Sequence, residues 1–183
     1  KAIQQMASVT VMLEKIERKG HNIIGYIDNH CANTVVIGGH YDHLGMGEEG
    51  SLYRGVPAIH NGADDNASGA AAVIEIGRYL KNVVPPARQG DGNAGHQQDM
   101  APGSGQKNNY LIVAFSGEEK GLYGSSWMTK NMPVPLEKIN YMLNLDMVGR
   151  MKDDHSLAVS GVGTSPLFAV VISQLNIDSI KVK

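Results

Sequence analysis

Residues 34–43 read TVVIGGHYDH, a β-branched apolar run from Thr34 to Gly39 that ends in two glycines and gives way at once to polar residues, His40 to His43. A strand half exposed to water would alternate apolar with polar side chains. A continuous apolar run reads instead as a strand buried on both faces, as in the centre of a parallel sheet. Polar residues just past such a strand belong to a site, because open α/β sheets gather ligands beyond the carboxyl ends of their strands.

The same pattern recurs outward from this stretch. Ala67 to Lys81 opens at Ser68 and carries Ala72, Ile76, Tyr79 and Leu80 at helical spacing, which predicts a helix. Asn109 to Phe115 (NYLIVAF) predicts a second buried strand running into Ser116-Gly117-Glu118-Glu119, with a helix over Gly121 to Lys130. Ile139 to Met147 (INYMLNLDM) is a third such run and Leu157 to Val162 a fourth, before a helix over Pro166 to Asn176 and the short Ile180-Lys181-Val182. Upstream, Val9 to Glu14 and His21 to Asp28 flank the turn-like Arg18-Lys19-Gly20 and read as a hairpin. Strand and helix alternate, which argues for an α/β layered fold with a largely parallel sheet.

One segment does not fit the alternation. Pro85 to Asn108 is rich in Pro, Gly, Gln and Asn and nearly free of large apolar residues, where a helix-to-strand connection usually takes ~2–6 residues. It reads as an exposed, mobile insertion, the other reading being a flap on the substrate side.

Composition excludes several classes. With 42% hydrophobic and 19% charged residues the 183-residue chain suits one globular domain, and no run approaches the ~18 apolar residues of a membrane span. Sixteen basic against eighteen acidic residues, a net −2, offer no footprint for nucleic acid or anionic lipid. The single cysteine, Cys31, excludes an internal disulfide and a thiolate zinc cluster. The chain opens at Lys1 with no signal peptide, so its start is expected to lie inside a longer precursor.

His40, Asp65, Glu118, Glu119 and Asp146 each follow a strand or occupy a glycine-rich turn, so the topology can bring them to one edge of the sheet. Four carboxylates in one cleft repel one another unless positive charge is supplied, and metal ions supply it. One imidazole with carboxylate oxygens suits zinc, and two ions ~3.5–4 Å apart bridged by a carboxylate are a recurring hydrolytic device; manganese or cobalt also accept such ligands. Asp64 reads as a cap of the helix near Ser68. His43, His60, His96 and His155 match no ligand position and read as surface or loop histidines, while Tyr41 and Trp127 read as core or rim.

The motifs GGHYDH at 38–43, NGADDNASG at 61–69, FSGEEKGLYGS at 115–125 and NLDMVG at 144–149 resemble, in order and spacing, the family 28 zinc metallopeptidases, from about Val9 onward. The resemblance implies a zinc-exopeptidase-like three-layer sandwich, its mixed, largely parallel central sheet flanked by helices. It implies two Zn2+ with a bridging water: His40 and Asp146 on one ion, Glu119 on the other, Asp65 bridging, Glu118 as general base, and Asp42 as the acid that fixes the His40 imidazole. It further implies a cis bond after Asp65. The family's second zinc also takes a later histidine, and nothing after Asp146 fits, so residues 1–183 are expected to be an incomplete catalytic domain, weakly active or inactive, with its last ligand beyond 183.

The implied activity is that of an aminopeptidase acting on peptides with a free, apolar N-terminal residue, secreted, periplasmic or at the cell surface. The alternatives within the resemblance are a glutamate-carboxypeptidase-like enzyme, for which neither Arg54 nor Arg150 reads as the needed clamp, a one-zinc glutaminyl-cyclase-like enzyme, and a non-catalytic domain. Oligomeric state is not legible.

Overall fold

The computed structural model describes residues 7–83, 107–175 and 180–182. The predicted insertion at 85–108, apart from its last two residues, and His96 lie outside the described residues.

The strand β2 (Asn33–His40) is the centre of the molecule, with every residue from Thr34 to His40 buried. It pairs in parallel along its whole length with β3 (Asn108–Phe115), and on its other edge with β4 (Ile139–Asn144). The short strand β1 (Ile23–Ile27) adds to the outside of β3 in the antiparallel sense, giving the order β1-β3-β2-β4. The sheet is mixed and largely parallel, as expected.

Successive side chains of a strand point to opposite faces, and the core divides accordingly. Val36, Leu111, Val113 and Phe115 pack on one face against Met128 of α2 (Tyr123–Lys130). Val35 and Ile37 pack on the other against Val73 of α1 (Gly69–Val83), with Ile76, Leu80 and Tyr141 around them. Burying both faces requires a helix on each, which is why Thr34 to Gly39 carries no alternation. A further helix, α3 (Pro166–Gln174), sets Phe168 edge-on to Tyr141, and Ser165 caps it by accepting from the Leu167 amide. No described helix is long and apolar enough to cross a membrane.

Several expected elements change. The hairpin does not form: Val9 to Glu14 is exposed and not a strand, and β1 takes its partner from β3 instead. A two-stranded ribbon with no apolar face behind it is marginal, whereas β3 is backed by the core. The third run ends as a strand at Asn144, with the Leu145 amide still donating to the Gly38 carbonyl at 2.8 Å, and Met147 beyond it holds a positive φ of 51°. The fourth shrinks to β5 (Ser156–Leu157), which pairs with β6 (Lys181–Val182) away from the main sheet. The helix expected from Gly121 starts at Tyr123, since Gly121 and Leu122 both hold positive φ.

Candidate metal centre

β2 ends at His40, and the Tyr41 amide still donates to the Phe115 carbonyl at 2.9 Å, so the chain leaves the sheet with its direction fixed. The His40 ring is only 3% exposed. Its Nδ1 donates to the Asp42 backbone carbonyl (3.1 Å), which leaves Nε2 as the acceptor nitrogen. Nε2 faces Asp65 Oδ1 at 3.1 Å, Asp146 Oδ1 at 3.5 Å and Glu118 Oε2 at 3.9 Å. Burial opposes charge on this ring, but the bond to Asp42 and the fields of Glu118, Asp146 and Asp42 outweigh it, and the His40 pKa lies above its ordinary value.

Asp65 lies in a wide turn, Ala63–Ser68, that is not helical at Asp65 or Asn66, and the bond between those two residues is cis. The turn holds the loop after β4. Buried Asn66 donates through Nδ2 to the Leu145 carbonyl (3.0 Å), and its Oδ1 accepts from the Gly69 amide (3.0 Å) and the Met147 amide (3.2 Å). Ser68 Oγ accepts from the Val148 amide at 3.0 Å, and Asp64 Oδ1 accepts from the Gly149 amide at 2.9 Å. Asp146 is therefore held from both sides by residues next to Asp65. Asp64 takes the Ser68 hydroxyl as well, so the residue read as a helix cap is also a tie to this loop.

Glu118 and Glu119 follow β3 through Gly117, whose φ of 67° suits a residue without Cβ. Their backbone amides donate to the two carboxylate oxygens of Asp42, at 3.0 and 3.2 Å. This revises the role expected for Asp42. Its carboxylate stands 3.8 Å from His40 Nδ1, beyond hydrogen-bond reach, and its backbone carbonyl orients the imidazole instead. The Glu118 pKa is raised by burial and by repulsion from Glu119, Asp146 and Asp42, partly offset by His40.

His43 is the residue that the sequence reading missed. It is half-buried, and its Nδ1 lies 2.6 Å from Glu119 Oε1. Two sets of donor atoms result, His40, Asp65 and Asp146 in one and His43, Asp65 and Glu119 in the other, each set lying within 4.8 Å. Asp65 is common to both. The position of His43 just past the end of β2, which singled out His40, was signal enough to keep it as a candidate. His60 is held outside these sets by Ser51 and the Ala58 carbonyl, and exposed His155 belongs to neither. Tyr41 is a rim residue whose hydroxyl donates to the His21 carbonyl.

The donor chemistry fits zinc. Two ligands held tetrahedrally at ~2.0–2.2 Å from one zinc stand ~3.3 Å apart, and the 3.1 and 3.5 Å separations from His40 Nε2 bracket that value. A concavity of about 450 Å³ opens beside His43, lined by Tyr41, Asn66, Ala67, Ala71 and Ile74.

Comparison with known proteins returns one family. The family model described as Peptidase family M28 matches residues 22–179. Leucine aminopeptidase 1 of Arthroderma otae is 32% identical over 133 residues, which cover 72% of this chain and 30% of that protein. Leucine aminopeptidase 1 of Trichophyton rubrum is 28% identical over 163 residues, covering 88% of this chain and 36% of that protein. A probable zinc metalloprotease of Pyrenophora tritici-repentis is 32% identical over 114 residues, 59% of this chain and 19% of that protein. The chain thus spans about a third of the length of these aminopeptidases and about a fifth of the metalloprotease. No solved structure matches it.

Proposed function

The chain belongs to peptidase family M28, and on that premise we propose that it carries the catalytic centre of a metallo-aminopeptidase with two zinc ions. The observation that carries the reading is the place of Asp65, grouped with His40 and Asp146 on one side and with Glu119 on the other, with Glu118 close to His40 and in the field of Glu119 and Asp146. His40 and Asp146 would hold one ion, Glu119 the other, and Asp65 both.

Zinc bound at these donors would supply a Lewis acid that polarises the scissile carbonyl and makes water acidic enough to attack near neutral pH. Glu118 takes the proton of the attacking water and delivers it to the departing amine. In the metal-free site burial and the neighbouring carboxylates raise the Glu118 pKa, which favours its holding a proton that it has taken. Asp42 holds the backbone from which Glu118 and Glu119 project, and Asn66 holds Asp146. The apolar concavity beside His43 supports a preference for peptides with an apolar N-terminal residue. A working place outside the cytoplasm belongs to the same proposal and rests on the family resemblance.

The test is Glu118→Gln in the full-length protein. Zinc content should be unchanged while kcat on aminoacyl p-nitroanilides falls by about 10²–10⁴, the usual contribution of a general base. Near-normal turnover would remove Glu118 from that role.

A further inference from the structure

We propose that His43 is a positioning residue for the second metal. Its Nδ1–H donates to Glu119 Oε1, which leaves the other carboxylate oxygen to face the ion shared with Asp65. The inference rests on the two-metal reading above and assigns a role within it.

The distance decides between ligand and hydrogen-bond donor. Donors on one tetrahedral zinc stand ~3.3 Å apart, as the set around His40 does, at 3.1 and 3.5 Å. His43 Nδ1 and Glu119 Oε1 are 2.6 Å apart, too close for two ligands of one tetrahedral ion and just under the ~2.7–2.9 Å of a charge-assisted N–H···O hydrogen bond. An ionised carboxylate only accepts, so the nitrogen facing it carries the proton.

The ring is built into its place. Gly62 has φ +63°, and a Cβ there would lie 2.9 Å from His43 Cδ2 and 3.0 Å from Cγ, so the imidazole rests against backbone that a larger residue would close off. Asp42, next in the chain, already holds the Glu119 amide at 3.2 Å. One segment, Asp42 and His43, therefore grips Glu119 twice, by its backbone through Asp42 and by its carboxylate through His43. Partners that orient a metal ligand in this way are worth about 10–100-fold in metal affinity.

Metal-free protein titrated with Co2+ and followed by its visible absorption tests this, alongside His43→Ala, His43→Phe and His43→Asn. Asn places an amide N–H where Nδ1 stands, whereas Phe keeps the ring without the donor. The wild type should take up one cobalt ion tightly and a second more weakly, since Glu119 and Asp65 are the donors left for the second. The Ala and Phe variants should bind the first unchanged and the second about 10–100-fold more weakly, and Asn should restore most of the loss. An Asn variant as weak as Ala, or one that loses both ions, would make the ring a ligand or a structural prop and overturn the inference. An Ala variant that binds like the wild type would leave His43 without a role at the metal. A wild type that takes up one ion would sink the two-metal reading and this inference with it, so the two failures are told apart.

Discussion

Asp42 carries a load whose size can be worked from its two bonds. Both carboxylate oxygens accept backbone amides, from Glu118 at 3.0 Å and Glu119 at 3.2 Å. A hydrogen bond to a charged group contributes ~1.5–3 kcal/mol. The side chain is 20% exposed, so water can replace part of what is lost and the lower half of that range applies. Asp42→Ala should then cost roughly 3–4.5 kcal/mol, and at ~2–4 °C per kcal/mol for a chain of this length the melting temperature should fall by roughly 6–18 °C. Asn keeps one acceptor but turns an NH2 toward the second amide, so Asp42→Asn should lose at least half as much. Calorimetric melting of protein dialysed against a chelator at pH 7 isolates this effect from metal binding. Zinc affinity should also fall, by about 10–100-fold, because both acids ride on the turn that Asp42 holds. An alanine variant melting within about 1 °C of the wild type would refute the reasoning, since that shift corresponds to well under 1 kcal/mol.

Three further outcomes follow from the same geometry. Because the folded pKa of Glu118 is raised, its stabilising contribution is full below the ordinary carboxylate pKa and is lost as pH rises through the folded value. Metal-free Glu118→Gln should therefore melt above the wild type at neutral pH, with the gap closing in acid; a variant that is less stable at neutral pH contradicts this. Gly69→Ala would drive a Cβ into Asn66 Oδ1 and the Leu145 carbonyl, so it should displace the loop that carries Asp146, and zinc binding by this variant equal to the wild type would show that the contact is not rigid. The segment from 85 to 106 joins the end of α1 to the start of β3, where Asn108 pairs with Asn33, at the opposite edge of the sheet from His40. Deleting it should leave zinc content unchanged, as plasma emission measurements on the purified variant would show.

The central strand and the acids at the strand ends were legible in the sequence for one physical reason. A strand buried on both faces needs an unbroken apolar run, and parallel strands end on a common edge, so Thr34 to Gly39 announces β2 and the polar residues past the runs announce His40, Glu118, Glu119 and Asp146. What tertiary structure alone decided is where side chains aim once the chain has left the sheet. The Asp42 carboxylate meets amides 76 and 77 residues away rather than the imidazole two residues back. His43 meets Glu119 across the same gap, and Asn66 reaches the loop around Asp146. No local propensity encodes such partners, because they are selected by which loops the packed helices bring together. The pairing of β1 with β3 instead of with Val9 to Glu14 has the same origin, since a strand edge joins the neighbour that the core supports, and that neighbour is distant in sequence.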